Sequence, residues 1–360
     1  MATDEPLVDI KSTRGLQPFR DDHRRLIGFR ELREQTTELM SHCCVEGDEY
    51  HQRNVMRFNV FVLFALLVAL PNAGIADDGP VLGVRRTEDV VYGRKFGMAL
   101  TMDVFQPAKP NGCGVLFLVN GGWLSSKQSP LMVTIRPSDY QIFLDRGYTV
   151  FAVVTSSQPK FKIPEQMQDV ERAVRFVRAN AKRFEVNPLR LGIVGASSGG
   201  HLTLATAARG AAGKPDAPDP VDRESSAVQA AACFFPPTDF LNYGGPGKSG
   251  VGEGPLAPLE IAFGSKGFSS EERTALGREI SPIYFVTSKL PPTLIIHGDR
   301  DDVVPLEQSE RFAERASEVG APPVKLIVRP GKGHGWGDFW KSTEDVTAFA
   351  DWFDQHLRNI

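Results

Sequence analysis

The feature that most restricts how this chain can fold is a succession of short runs, apolar almost throughout, that alternate with helix-like segments. After a β-prone start around Val90-Val91-Tyr92, the runs occupy residues 100–105, 114–120, 148–155, 189–195, 228–235, 293–297 and 324–328. The clearest helix-like segment between them is 164–184, where Val170, Ala173, Val174, Phe176, Val177 and Ala181 share one helical face. A strand that is apolar on both sides must be covered on both sides. The pattern therefore predicts an α/β fold with a mostly parallel sheet between two layers of helices. Such a sheet binds ligands at the carboxyl ends of its strands.

Composition narrows the function. Lys and Arg number 41 against 44 Asp and Glu, a net charge of -3 over 360 residues, so nothing draws nucleic acid or an anionic membrane to the whole chain. Of the four cysteines, Cys43, Cys44, Cys113 and Cys233, none forms a C-x-x-C pair, and no H-E-x-x-H accompanies them, so neither a zinc framework nor any other metal is expected. Cys113 and Cys233 lie at or inside apolar runs and are expected to be buried as small hydrophobes.

Residues 60–70 (VFVLFALLVAL) are apolar without interruption, too few to span a bilayer and the right length for a signal-peptide core. Arg53 and Arg57 precede them, and Gly74 and Ala76 supply the small residues of a cleavage site. The expected organisation is a start at Met56, a leader over 56–76 cut after Ala76, residues 1–55 as a doubtful extension, and an exported domain over 77–360 with no stable membrane anchor. Within it, residues 241–288 break the strand–helix alternation. Their Gly-rich piece, 244–254, reads as a cap-like insertion over the sheet's top edge, the alternative being a plain surface loop.

The chemistry concentrates at Gly195-Ala196-Ser197-Ser198-Gly199, a G-x-S-x-G between an apolar strand and a small-residue helix. A sharp strand-to-helix turn needs glycine on both sides, and it would hold the Ser197 hydroxyl up at the helix N-terminus, where developing negative charge is favoured. Ser198, in an A-x-S-x-G register, is the alternative nucleophile. A serine needs a base, and the base an orienting acid. Among the histidines beyond the leader, His356 reads as solvated on the terminal helix, His201 as structural and His297 as a packing or loop-fixing residue at a strand end. His334, in the Gly-rich loop 330–337 after the last run, is the best base. The loop 297–305 offers Asp301 as acid, with Asp302 and Asp299 as alternatives. Asn120-Gly121-Gly122-Trp123 follows the 114–120 run, so the amides of Gly122 and Trp123 together with that of Ser198 are the expected oxyanion donors.

With these residues in place, the chain resembles the esterase/lipase branch of the α/β-hydrolase superfamily over about residues 95–358, near its hormone-sensitive-lipase-like and feruloyl or acetyl-xylan esterase-like members. The resemblance rests on Asn120-Gly121-Gly122-Trp123, the 169–177 helix, residues 195–202, Phe235-Pro236-Pro237-Thr238-Asp239, the H-G-x-x-D-x-x-V-P loop ending at Pro305, Gln308-Ser309 and Gly333-His334-Gly335-Trp336. It implies the order Ser197, Asp301, His334 for the triad and no cofactor. The sequence departs from that pattern where Asn120 stands for the usual His of His-Gly-Gly-Gly and one Gly is missing. It departs again where Thr155-Ser156-Ser157 replaces Asp-Tyr-Arg and Ser198 replaces a common Ala. The implied activity is hydrolysis of a small-molecule or polysaccharide-linked carboxylic ester. A serine exopeptidase like the prolyl oligopeptidase catalytic domain and a non-catalytic binding protein on the same fold are the alternatives.

Overall fold

The computed structural model describes residues 83–127, 137–336 and 339–358. Cys43, Cys44, Met56, the 56–76 leader and its cleavage point lie outside the described residues.

The sheet begins with a hairpin, β1 (Val84–Lys95) and β2 (Met98–Pro107), paired antiparallel. Its two-residue turn, Phe96-Gly97, has φ of 46° and 76°, the doubly positive geometry that matches the twist of a hairpin. β3 (Gly114–Leu118), β4 (Thr149–Val153), β5 (Leu191–Ala196), β6 (Ala230–Phe234), β7 (Thr293–Gly298) and β8 (Val324–Arg329) follow. The strand order is β1-β2-β4-β3-β5-β6-β7-β8, and every pair from β4 onward is parallel. This is the mostly parallel α/β sheet that the apolar runs predict.

Helices α1 (Gln141–Asp145), α2 (Ile163–Ala179), α3 (Ser198–Arg209), α4 (Glu260–Phe263), α5 (Ser270–Ile280), α6 (Glu307–Glu318) and α7 (Thr343–Phe353) connect the strands. Alternate strand residues feed different cores. Leu116, Leu118 and Ile193 pack with Val170 and Val174 of α2, Leu202 of α3 and Phe312 of α6. Val115, Phe117 and Val194 pack on the other face with Phe143 of α1 and Phe349 and Phe353 of α7. Each such side chain contributes about 1.5–3 kcal/mol on burial, which is why neither strand face can be polar.

Several ends differ by one or two residues from the apolar runs, β3 stopping at Leu118, β4 at Val153 and β6 starting at Ala230, and two boundaries have a local cause. α2 stops at Ala179 rather than reaching 184, because the Asn180 side chain donates to the Phe176 carbonyl at 2.8 Å and the chain turns there. Phe184 is buried beyond the helix, edge-on to Phe151. β5 starts at Leu191 rather than 189, because Asn187 accepts the Leu189 amide in an Asx turn that leaves Leu189 exposed.

The stretch 241–288 carries α4 and α5 and is tied to the body of the domain. The Tyr243 hydroxyl donates to the Val303 carbonyl at 2.8 Å, the Gly250 amide to Phe240 at 2.7 Å, and the Phe263 ring lies 5.2 Å from that of Trp123.

Candidate active site

The loops that follow β3, β5, β7 and β8 bring the sequence-predicted residues together at the carboxyl edge of the sheet. Ser197 sits between β5 and α3 with φ 53° and ψ -121°, a conformation costing about 1–3 kcal/mol for a residue with a side chain. Its neighbours hold it there: its amide donates to the Phe234 carbonyl at 3.0 Å, and its carbonyl accepts the His201 amide at 2.8 Å. The flanking glycines are steric necessities. A Cβ at Gly195 would lie 2.5 Å from the Gly199 carbonyl oxygen, and one at Gly199 would press on the Asn120 carbonyl at 3.1 Å.

The Ser197 hydroxyl lies 3.0 Å from His334 Nε2, and His334 Nδ1 lies 2.8 Å from Asp301 Oδ2. A carboxylate only accepts, so Nδ1 carries the proton and Nε2 is left to accept from the serine. Phe235, held at φ 33°, packs its ring 4.7 Å from the imidazole. The Asp301 side chain is fully buried, which by itself would raise its pKa. Hydrogen bonds from His297, His334 and the Val304 amide outweigh burial and bring it down to about 2. Asp301 Oδ1 takes the Val303 and Val304 amides at 3.0 and 2.8 Å.

The other carboxylates of this loop face elsewhere. Asp299 accepts the Gly331 amide at 2.6 Å, and Asp302 is exposed. His297 is buried, with Nε2 2.8 Å from the Val304 carbonyl and 3.3 Å from Asp301 Oδ2, and Nδ1 2.7 Å from the Ser309 hydroxyl. It fastens the acid's loop to α6.

Across from the triad, Gly121 and Leu124 exchange backbone hydrogen bonds at 3.0 Å, and between them Gly122 and Trp123 both have φ of 57°. A buried tryptophan in the left-handed region needs an anchor, and the indole N–H donates to His201 Nδ1 at 3.2 Å while His201 Nε2 donates to the Ile280 carbonyl at 2.7 Å. His201 is fully buried, and burial holds its pKa down at about 4, so it stays neutral. Gln158 Nε2 donates to the Gly122 carbonyl at 2.7 Å. In a trans peptide the C=O and the next N–H point opposite ways, so this bond aims the Trp123 N–H away from Gln158. Among the described residues no protein acceptor takes the amides of Gly122, Trp123 or Ser198.

Ser198, the alternative nucleophile, is directed away from His334: its hydroxyl donates to Asn120 Oδ1 at 2.8 Å. The reading of His356 as solvated is corrected. Its ring lies 4.3 Å from that of Trp352, one helical turn earlier, and its Nε2 is buried. Cys113 and Cys233 are free and buried, and no group of three His, Cys, Asp or Glu among the described residues could hold a metal ion.

Sequence reasoning did not single out Gln158 or Gln166, and it quoted Phe235 only within a motif of the resemblance, with no role beside His334. Gln166 had a detectable signal, because it precedes Val170 by one turn and puts an amide on the apolar face of α2, where it is fully buried.

Compared with known proteins, the chain matches the BD-FAE family over residues 102–316, a span that includes Ser197 and Asp301 and ends before His334. It is 26% identical over 265 residues to the esterase LipC of Mycobacterium tuberculosis, 71% of this chain and 63% of that protein. It is 27% identical over 258 residues to the esterase LipQ of the same organism, 70% of this chain and 57% of LipQ. The alignments thus span less than two thirds of these relatives' own length. Among solved structures, a truncated carbohydrate esterase from gut microbiota superposes with a TM-score of 0.63 at 25% identity, covering 76% of this chain and 96% of that one.

Proposed function

The chain belongs to the BD-FAE family, and from that premise we propose that it is a secreted serine hydrolase that cleaves carboxylic esters through an acyl-enzyme. The observation that carries the reading is the continuous line from Ser197 Oγ through His334 to Asp301, with contacts of 3.0 and 2.8 Å.

In this reading Ser197 Oγ attacks the ester carbonyl as its proton passes to His334 Nε2. Asp301 holds the imidazole in the accepting tautomer and stabilises the imidazolium that forms. The carbonyl oxygen becomes an oxyanion met by the amides of Ser198, Gly122 and Trp123. His334 then gives its proton to the departing alcohol, the acyl group stays on Ser197, and water, deprotonated by His334, releases it. The likeness to esterases and to a carbohydrate esterase supports an ester, small or polysaccharide-linked, as substrate. Export is supported by the apolar run at 60–70 with Gly74 and Ala76 behind it.

Turnover of p-nitrophenyl acetate and Ala-Pro-p-nitroanilide by the wild type and by Ser197→Ala tests the chemistry. Acetate turnover that vanishes in the variant is expected. Turnover of the anilide alone would move the reading to an exopeptidase, and failure of a phosphonate to label Ser197 would move it to a binding protein. N-terminal sequencing of exported protein tests the leader, with Asp77 expected first.

A further inference from the structure

The two halves of the oxyanion site belong to different loops, the Ser198 amide to the turn after β5 and the Gly122 and Trp123 amides to the turn after β3. A carbonyl oxygen can be held by both only if their separation is fixed. One chain of buried side-chain amides spans the gap. The Ser198 hydroxyl donates to Asn120 Oδ1 at 2.8 Å, and Asn120 Nδ2 donates to Gln166 Oε1 at 3.1 Å and to Thr155 Oγ1 at 3.2 Å. Gln166 Nε2 then donates to the Trp123 carbonyl at 2.9 Å. Asn120, Gln166, Thr155, Ser198 and Trp123 are all buried, so each of these bonds forms away from competing water. Every amide group along the line acts in one direction, from the elbow serine to the oxyanion turn. Three of the residues it joins, Asn120, Ser198 and Thr155, are positions at which the sequence departs from the pattern it otherwise resembles, and Asn120 is the direct partner of the other two.

We propose that Asn120 and Gln166 are positioning residues which, through the Ser198 hydroxyl and the Trp123 carbonyl, set the distance between the two sources of oxyanion-binding N–H groups. The proposal rests on the ester-hydrolase reading above. It predicts that the network acts on the tetrahedral intermediate and not on the bound ester, so its loss appears in kcat and leaves KM in place.

The test uses the full chain and the variants Ser198→Ala, Gln166→Leu, Asn120→Asp and the Ser198→Ala/Gln166→Leu double. Kinetics with p-nitrophenyl acetate separate kcat from KM. A trifluoromethyl ketone measures the oxyanion directly: Ser197 Oγ adds to the ketone carbon, its proton goes to His334, and the former carbonyl oxygen keeps the negative charge. Each single variant is expected to lower kcat about tenfold, to change KM less than about twofold and to raise the inhibitor's Ki by the same factor as kcat falls. The double variant should lose no more than the worse single one, because both cut the same line. Wild-type kcat and Ki in Ser198→Ala, which removes one hydroxyl and leaves the packing intact, would overturn the proposal, as would losses that multiply in the double variant or fall on KM. If Gln166→Leu does not fold, Ser198→Ala and Asn120→Asp carry the same comparison. A wild-type chain that neither hydrolyses the ester nor takes a phosphonate at Ser197 overturns the ester-hydrolase reading and this inference with it.

Discussion

On the proposed ester-hydrolase reading, the acid–base and oxyanion halves of the site solve one problem, rigid placement of a reacting group, by different means. In the acid–base half a charge does the organising. Asp301 gathers His297, His334 and the amides of Val303 and Val304, and its partners all lie in its own loop, at the end of β7 or in the next loop on the same edge. In the oxyanion half the working groups are neutral backbone amides, which attract nothing strongly. They are aimed through the carbonyls beside them, and the side chains that grip those carbonyls come from elsewhere: Gln158 from the loop after β4, Gln166 from α2 and His201, on the Trp123 indole, from α3. A charge recruits local partners, whereas a backbone dipole must be oriented by whatever the fold brings near.

The largest effect expected is on the charged half. Asp301→Asn should lower kcat by about 10³- to 10⁴-fold. An amide in that pocket has one acceptor oxygen to offer two sets of donors, the imidazoles and the Val303–Val304 amides, so whichever way it turns its NH₂ faces N–H groups. Steady-state kinetics with p-nitrophenyl acetate would check this, and a loss below tenfold would mean the charge is not the organiser. Gln158→Leu should cost less, about ten- to a hundredfold in kcat, because the Trp123 peptide loses its aim while the hairpin bonds between Gly121 and Leu124 remain. A loss as large as that of Asp301→Asn would erase the distinction between the halves.

Acid separates them by stability. His201 has its pKa lowered by burial from 6.5 to about 4, so the folded state resists the proton that the unfolded chain accepts. Its contribution is whole above pH 6.5 and is lost as the pH falls to 4, about 3 kcal/mol at roughly 1.4 kcal/mol per unit. Asp301, lowered from 3.8 to about 2, keeps its contribution until the pH drops below 3.8. Urea midpoints between pH 7 and 4 should therefore fall in the wild type and fall less in His201→Gln; equal slopes would remove His201 from the account. The smallest effect belongs to the carboxylates that share the acid's loop. Asp299→Ala and Asp302→Ala should leave kcat within about twofold and stability within about 0.5 kcal/mol, since neither touches His334. A large loss in either would reopen the choice of acid.

The legible parts of the molecule are those whose cause is local. A strand buried on both faces must be apolar along its length, so the sheet could be read run by run, with ends that moved by a residue or two. The elbow was legible because a Cβ at Gly195 would collide with the Gly199 carbonyl, a constraint written into a few consecutive residues. The order of Ser197, Asp301 and His334 along the chain was likewise visible, although three aspartates competed for the acid. Which of them it is depends on how the loop turns, and that was decided by His297, which binds the Ser309 hydroxyl and the Val304 carbonyl at once. The partnership of Ser198 with Asn120, and the grip of Gln158 and Gln166 on the oxyanion turn, were decided by tertiary structure alone. Side-chain amides have no sequence period and no net charge, and their partners here lie 36 to 78 residues away. Only the packing of α2 and the β4 loop against the β3 turn brings them within hydrogen-bonding distance.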